Sequence, residues 1–238
     1  MFNVSRIGFQ HIPDFRHFSK FVLSNQRTMP LSYFASEFGN LKQVYLEANC
    51  RDYFCKNAGQ LAEELVHRNN NDFASIIYST LAKVTGRFPI ELERYAIKGV
   101  DVARRNGDYI HEMARLNDLR KIYYRRQDRF QNYLDVLYSQ ERCLKKITSN
   151  YDEAIQRYKT LSRKPASRDS YLTMLAYIQT ELSKLIWQKH PKNALSKLQC
   201  AQDIYRKNHD SASIEYVTLL MLKIKNVLQA NNQFNKFA

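Results

Sequence analysis

One helical stretch, which follows Gly107, carries side chains that could bind a carboxylate. Its apolar residues recur at helical spacing and predict a buried side made of Tyr109, Met113, Leu116, Leu119, Ile122 and Tyr123. The same spacing places a second set on a different side: Asn117, Lys121, Tyr124, Arg125 and Asp128. Ammonium and guanidinium groups form charge-assisted hydrogen bonds with carboxylates, and a tyrosine ring adds apolar area with a polar tip. The competing interpretation is that Tyr124 belongs to the core and that the cations only keep the surface soluble.

The residue spacing does not favour a catalytic or metal site. None of the six histidines is four residues from another, which is the spacing of two zinc ligands on one helical face. The sequence contains no GxSxG nucleophile elbow and no Walker loop. The cysteines do not have zinc-site spacing and are expected to be buried or half-buried free thiols: Cys50, Cys55, Cys143 and Cys200. We therefore expect a non-enzymatic protein with no catalytic residue, no metal and no cofactor.

The charge of the chain indicates an acidic partner. Lysine and arginine number 37 against 23 acidic residues, so the net charge is +14. Residues 120–146 contain eight basic and three acidic side chains. Such a surface attracts acidic proteins or polyanions. RNA binding through phosphate contacts and base stacking on tyrosines is the alternative, although the sequence has no GxxG loop of the KH type. A third interpretation is a solvated surface, because no block of five like charges occurs.

The composition predicts an all-helical protein. The 238 residues include only 6 glycines and 5 prolines, and Gly107 is the last glycine. Tight hairpins and dinucleotide-binding loops need glycine, so a β-rich fold and a Rossmann fold are disfavoured. The longest apolar stretch is residues 217–224, which is interrupted by Thr218 and Lys223. It is too short to cross a membrane, which takes about 20 residues.

The first 40 residues differ from the rest of the chain. They are basic, contain Pro13 and Pro30, and are rich in phenylalanine: Phe2, Phe9, Phe15, Phe18, Phe21 and Phe34. This composition predicts that residues 1–40 form an irregular arm whose phenylalanines dock on the body or on a partner. The alternative is an organelle transit peptide, because acids are scarce; otherwise we expect a cytoplasmic protein.

Residues 41–238 show helical periodicity and form the predicted helical-repeat domain. Polar or proline-containing breaks separate the helices at residues 69–71, 86–89, 106–107, 127–128, 148–150, 164–166, 190–191 and 208–210. Asp72 is the expected N-cap of the helix after the first of these breaks. Short turns between consecutive helices favour antiparallel helix hairpins that stack on one another.

Internal similarity supports such stacking. Pairs of alanines seven residues apart share one helical face and would let a neighbouring helix approach closely: Ala96 with Ala103, and Ala194 with Ala201. The run at 182–187, LSKLIW, has an analogue at 119–124, LRKIYY, and residues 150–161 read NYDEAIQRYKTL. These segments resemble the tetratricopeptide repeat family over roughly residues 72–238. The sequence departs from that family at Arg120 and Tyr133, where the family usually has small residues, and its repeat spacing is irregular. Either residues 150–163 are an inserted helix or one repeat register is shifted.

The resemblance implies a right-handed superhelix of stacked hairpins, whose first helices line a concave groove. Groove positions carried over from the family fall on Asn117, Lys121, Tyr124 and Arg125 in one helix. In the helix of residues 169–189 they fall on Thr180, Lys184, Trp187 and Gln188. From this pattern we expect an adaptor or scaffold that binds a peptide or acidic protein segment in a basic, aromatic-bearing groove.

Overall fold

The structure, a computed structural model, describes residues 13–124, 126–157 and 165–234. Helices account for 85% of these residues, and no strand occurs among them. The all-α prediction is therefore confirmed. The α-helices are α1 Phe15–Asn25, α2 Leu31–Glu47, α3 Arg51–His67, α4 Asn71–Val84, α5 Pro89–Arg105, α6 Tyr109–Tyr124, α7 Phe130–Ser149, α8 Tyr151–Arg157, α9 Arg168–Ile186, α10 Pro191–Lys207 and α11 Ser211–Phe234.

The helices end where the sequence places polar or proline-containing breaks. Proline is the first residue of α5 and of α10, a position where its missing N–H costs nothing. Gly107 has a φ of 65° just after α5, a left-handed conformation that glycine adopts without strain. The cap of α4 differs from the prediction: the Asn70 side chain, not that of Asp72, accepts the Phe73 N–H at 3.3 Å. Asn70 directly precedes the helix, so its side chain can reach the free N–H groups of the first turn, whereas Asp72 lies within that turn.

The described chain divides into two compact units. The first comprises residues 13–122 and 153–157, and the second comprises the described residues of 123–152 and 165–234. In the first unit α3 packs on α4, and α4 packs on α5. Its core is aromatic, with Phe34 stacked on Phe73 at a centroid distance of 4.3 Å. Five phenylalanines of this core are almost fully buried: Phe15, Phe18, Phe34, Phe38 and Phe54.

Most of residues 13–40 are helical, and this corrects the expectation of an irregular arm. They form α1 and most of α2, and α2 continues across residue 40. The Tyr45 hydroxyl ties the start of α1 to α2 by donating to the Pro13 carbonyl at 2.5 Å and accepting the Phe15 N–H at 3.2 Å. Pro30 does not interrupt a helix because it lies in the turn, where it is the N-cap of α2. Phe2 and Phe9 lie outside the described residues.

In the second unit α9 packs against both α7 and α10, and α10 packs against α11. The Ser183 hydroxyl donates to the Ala194 carbonyl at 3.1 Å, which marks a close approach of α9 and α10. The alanines of the two pairs are fully buried: Ala96, Ala103, Ala194 and Ala201. Full burial is expected of small residues that face neighbouring helices.

Two further segments are the stretch 150–163, which is described in part, and the helix α11. Within the stretch 150–163 the helix α8 has seven residues, and the helices on either side of this stretch, α7 and α9, pack on each other. Residues 158–164 lie outside the described residues. The helix α11 is continuous from Ser211 to Phe234.

No helix in the described part of the chain is long and apolar enough to cross a membrane. The four cysteines are free thiols. Cys55 and Cys143 are buried and Cys50 is half-buried as expected, whereas Cys200 is exposed on α10.

Candidate functional site

The polar side of α6 is accessible, as the spacing predicted. Met113, Leu116 and Leu119 are buried beneath the helix. Lys121 is exposed, Asn117 is half-buried, and Tyr124 is 72% exposed. Tyr124 therefore does not belong to the core, and its ring lies 5.7 Å from that of Tyr133. Arg125 lies outside the described residues.

A buried charged cluster on α6 was missed by the sequence analysis. Glu112 is almost fully buried and accepts hydrogen bonds from the Arg104 guanidinium at 2.9 Å. Arg115 is also buried and reaches Asp118 at 3.0 Å and the Ser79 carbonyl at 3.4 Å. These residues fix α6 to α4 and α5 and do not form a binding surface. Their spacing alone could not reveal this role, because charged residues at helical spacing are usually exposed.

The start of α6 is held by a carboxylate. Asp108 accepts the His111 N–H at 3.0 Å through Oδ1, and its Oδ2 contacts His111 Nδ1. Such a cap satisfies N–H groups that the first helical turn leaves free. His111, which is buried beside this carboxylate, is thus part of a helix cap.

The second predicted set lies on α9, where Lys184 and Trp187 meet residues of α11. Lys184 Nζ donates to Glu181 Oε1 at 2.6 Å and lies 4.9 Å from the ring centroid of Tyr216. Trp187 is half-buried against the core of the second unit, and Lys223 Nζ lies 5.9 Å from its ring. Two cation–π pairs therefore follow one another between the two helices. We call these five side chains, with Tyr177, the α9–α11 surface.

This surface combines exposed rings with both charges. Tyr177 and Tyr216 are each about half exposed. Tyr177, Glu181 and Lys184 share one side of α9, because residues four and seven apart in a helix face the same way. Burial lowers the pKa of Lys184, but its hydrogen bonds to Glu181 and Tyr216 outweigh this effect and raise the pKa overall. Lys184 therefore stays protonated, and Lys223 supplies an exposed second cation.

Thr180 does not line this surface. Its side chain is buried, and its hydroxyl donates to the Ala176 carbonyl at 2.9 Å. The expectation that Thr180 faces a groove is therefore wrong. Thr180 is three residues after Tyr177 and four before Lys184, so spacing alone places it beside them. Its burial shows that it lies at the edge of that side, where α9 packs on a neighbouring helix. Gln188 is exposed after the end of α9.

A second basic surface lies along α7. Its buried carboxylate, Glu141, accepts hydrogen bonds from Lys197 Nζ at 2.5 Å and Lys145 Nζ at 2.9 Å. Burial raises the pKa of Glu141, but the two ammonium groups more than compensate and lower it overall. Arg142 and Lys146 are exposed on the same helix, and together with Tyr138, Lys145 and Ser149 they line a depression of about 510 Å³. We call this the α7 basic surface.

Within the described residues, no three His, Cys, Asp or Glu side chains are arranged to hold a metal ion. Comparison with known proteins adds no assignment, since no protein-family model and no curated protein matches this chain.

Proposed function

We propose that this chain is a non-enzymatic interaction module, built of stacked helix hairpins in a tetratricopeptide-like superhelix, that binds an acidic peptide segment. The binding residues in this proposal are Lys184 and Trp187 of the α9–α11 surface, together with Asn117, Lys121, Tyr124 and Arg125. The protein acts as an adaptor or scaffold in the cytoplasm.

The observation that carries the proposal is the pair of cation–π contacts on the α9–α11 surface. The exposed ring of Tyr216 and the half-buried ring of Trp187, each beside a lysine, offer a peptide both apolar area and charge. Lys184 contacts the Tyr216 ring. Because Lys184 is also paired with Glu181, it contributes little free charge. Lys223 faces Trp187 and has no carboxylate among its described contacts, so it is the cation that a peptide carboxylate would reach first.

Packing supports the hairpin architecture of the proposal. In the first unit α4 contacts both α3 and α5, and in the second unit α10 contacts both α9 and α11. The alanines of the two similar segments are buried. Buried small residues at seven-residue spacing let helices approach closely, as repeated hairpins require.

RNA binding is the second candidate function, and the α7 basic surface favours it. Arg142, Lys145 and Lys146 could neutralise phosphates, and the 37% exposed ring of Tyr138 could stack on a base. This candidate is weaker because Glu141 already neutralises part of the local charge.

The experiment starts from proteins captured by the full chain and measures the affinity of each for variants. Lys223→Glu and Tyr216→Ala should each weaken binding of an acidic partner, by about tenfold or more if the surface is a centre of recognition. The matched control, Lys192→Glu, makes the same charge change at an exposed position of α10 and should leave binding unchanged.

RNA is tested in parallel with a fluorescent single-stranded RNA of 20 nucleotides. Weak binding that falls steeply between 50 and 200 mM salt fits non-specific attraction to a basic protein. Affinity that is retained at 200 mM salt and is lost on Arg142→Glu would instead establish the second candidate function.

A further inference from the structure

A groove of about 520 Å³ lies between α1 and α3 in the first unit. The two helices run in the same direction. At their starts the rings of Phe15 and Phe54 are 5.9 Å apart. Beyond their ends, the Asn70 amide donates to the Gln26 carbonyl at 3.3 Å. The groove between them is thus a continuous feature several helical turns long.

One wall of the groove is a helix that is packed on the core of the first unit. The inner side of α1 is anchored by Phe15, Phe18 and Val22, which are all buried. The outer side of the same helix contributes Arg16, Lys20 and Leu23 to the groove. A partner would therefore meet a preformed surface, which lowers the entropy cost of binding.

The floor of the groove is apolar. Leu23 is half-buried and Leu61 is buried, and both line it. Tyr53 is 47% exposed, and its ring is stacked 5.7 Å from that of Tyr45, which fixes its position. Leu23 and Tyr53 therefore remain accessible in a concave surface, and accessible apolar side chains of this kind are typical of places where another apolar surface docks.

The rims of the groove are basic. Arg16 and Lys20 stand on the α1 side and Lys56 stands on the α3 side, and all three are exposed. Glu64 also lines the groove, but its Oε1 accepts from Arg68 Nε at 2.7 Å, so its charge is compensated. The groove therefore presents a surplus of positive charge above an apolar floor.

We propose that this groove binds an amphipathic helix of a partner protein, with an apolar stripe on the floor and carboxylates facing the rims. From Tyr53 to Glu64 the groove follows α3 for roughly 17 Å, which matches about three turns of a bound helix. A common mode of peptide recognition is an amphipathic helix that places apolar side chains, three and four residues apart, in a groove. This surface lies in the first unit, so it is separate from the α9–α11 surface.

Charge argues against two other occupants. Residues 1–12 of the same chain contain Arg6 and no acidic residue, so they offer no carboxylate that complements the basic rims. A second copy of the chain carries a net charge of +14 and is repelled by the basic rims. An acidic partner is complementary.

The test is a selection of random 16-residue peptides, displayed on phage, against the full chain. The affinity of each enriched peptide is then measured for the groove variant Lys20→Glu/Lys56→Glu and for the matched control Lys192→Glu/Lys207→Glu. Both residues changed in the control are exposed on α10. We expect enriched peptides with apolar residues three and four apart and with flanking Asp or Glu. Their affinity should fall by about tenfold or more on the groove variant and stay unchanged on the control, because two attractions become repulsions.

A charge swap makes the test independent of folding defects. Replacing the peptide carboxylates with lysine should restore binding to the groove variant, which an unfolded variant could not show. The proposal is overturned if no peptide is enriched, if the enriched peptides are not acidic or not amphipathic, or if the groove and control variants bind equally. Sedimentation that shows a dimer lost in the groove variant would overturn it in favour of a second copy. Variants of the α9–α11 surface should bind these peptides normally, so failure here is distinct from failure of the proposed function.

Discussion

The buried ion pair between Glu141 and Lys197 gives a sharp prediction about stability. The Glu141 side chain is 6% exposed, and that of Lys197 is 11% exposed. Glu141→Gln removes the negative charge and leaves the Lys197 ammonium buried without its counter-ion. Breaking a buried pair by removing one partner costs about 3–5 kcal/mol, and we expect a loss of unfolding free energy in this range.

A second lysine on the same carboxylate provides the control. Lys145 contacts Glu141 at 2.9 Å, but its side chain is 58% exposed. Solvent screens such a pair, so Lys145→Met should cost at most about 1 kcal/mol. The double variant Glu141→Gln/Lys197→Met should recover much of the loss of the single variant, because it leaves no buried charge.

Urea denaturation followed by circular dichroism at 222 nm measures each variant. The pKa of Glu141 is lowered in the folded protein, so its contribution is present above the unfolded pKa of the carboxyl group and is lost as the pH falls through the folded value. As the pH falls below about 5, the unfolding free energy of the parent should therefore decrease more than that of the Glu141→Gln variant. This reasoning would be refuted if Glu141→Gln and Lys145→Met lowered the unfolding free energy equally, or if the double variant were less stable than Glu141→Gln.

Three further predictions concern packing and the exposed side of α6. Ala103→Leu and Ala201→Leu should each lower the unfolding free energy by about 1–3 kcal/mol, because both alanines are fully buried and a larger side chain overpacks the contact; urea titrations with parent-like midpoints would contradict this. Phe34→Ala should cost about 3–5 kcal/mol by removing a buried ring stacked on Phe73, and an unchanged melting temperature would show that this core is wrongly described. Lys121→Glu should change stability by no more than about 0.5 kcal/mol, since Lys121 is exposed, while it weakens binding of a captured acidic partner.

Much of the fold could be predicted from local patterns. The helix breaks at Gly107 and Pro191 depend on backbone properties of single residues, and the burial of Ala103 and Ala201 follows from their spacing. The helical state of residues 13–40 could not be predicted in this way. Proline and scattered phenylalanines suggested an irregular segment, but the phenylalanines pack on α2, α3 and α4, and such tertiary packing overrides weak local preference.

Part of the candidate site could likewise be predicted from local patterns, and part could not. The exposure of Lys121 and Tyr124 followed from helical spacing, because the opposite side of α6 is apolar. The contacts of Lys184 with Tyr216, and of Trp187 with Lys223, join residues 32 and 36 positions apart, so no local pattern contained them. The burial of Thr180 and of the charged α6 residues also depends on the neighbouring helices, which the sequence alone does not position.

The most direct test of the proposed function is site-specific photocrosslinking in the full chain. p-Benzoylphenylalanine is introduced at Tyr216 of the α9–α11 surface and, in a second protein, at Tyr138 of the α7 basic surface. We predict that the probe at position 216 crosslinks an acidic segment of a captured protein, and that Lys223→Glu abolishes this product. Crosslinks to RNA from position 138, with none to protein from position 216, would contradict the proposal.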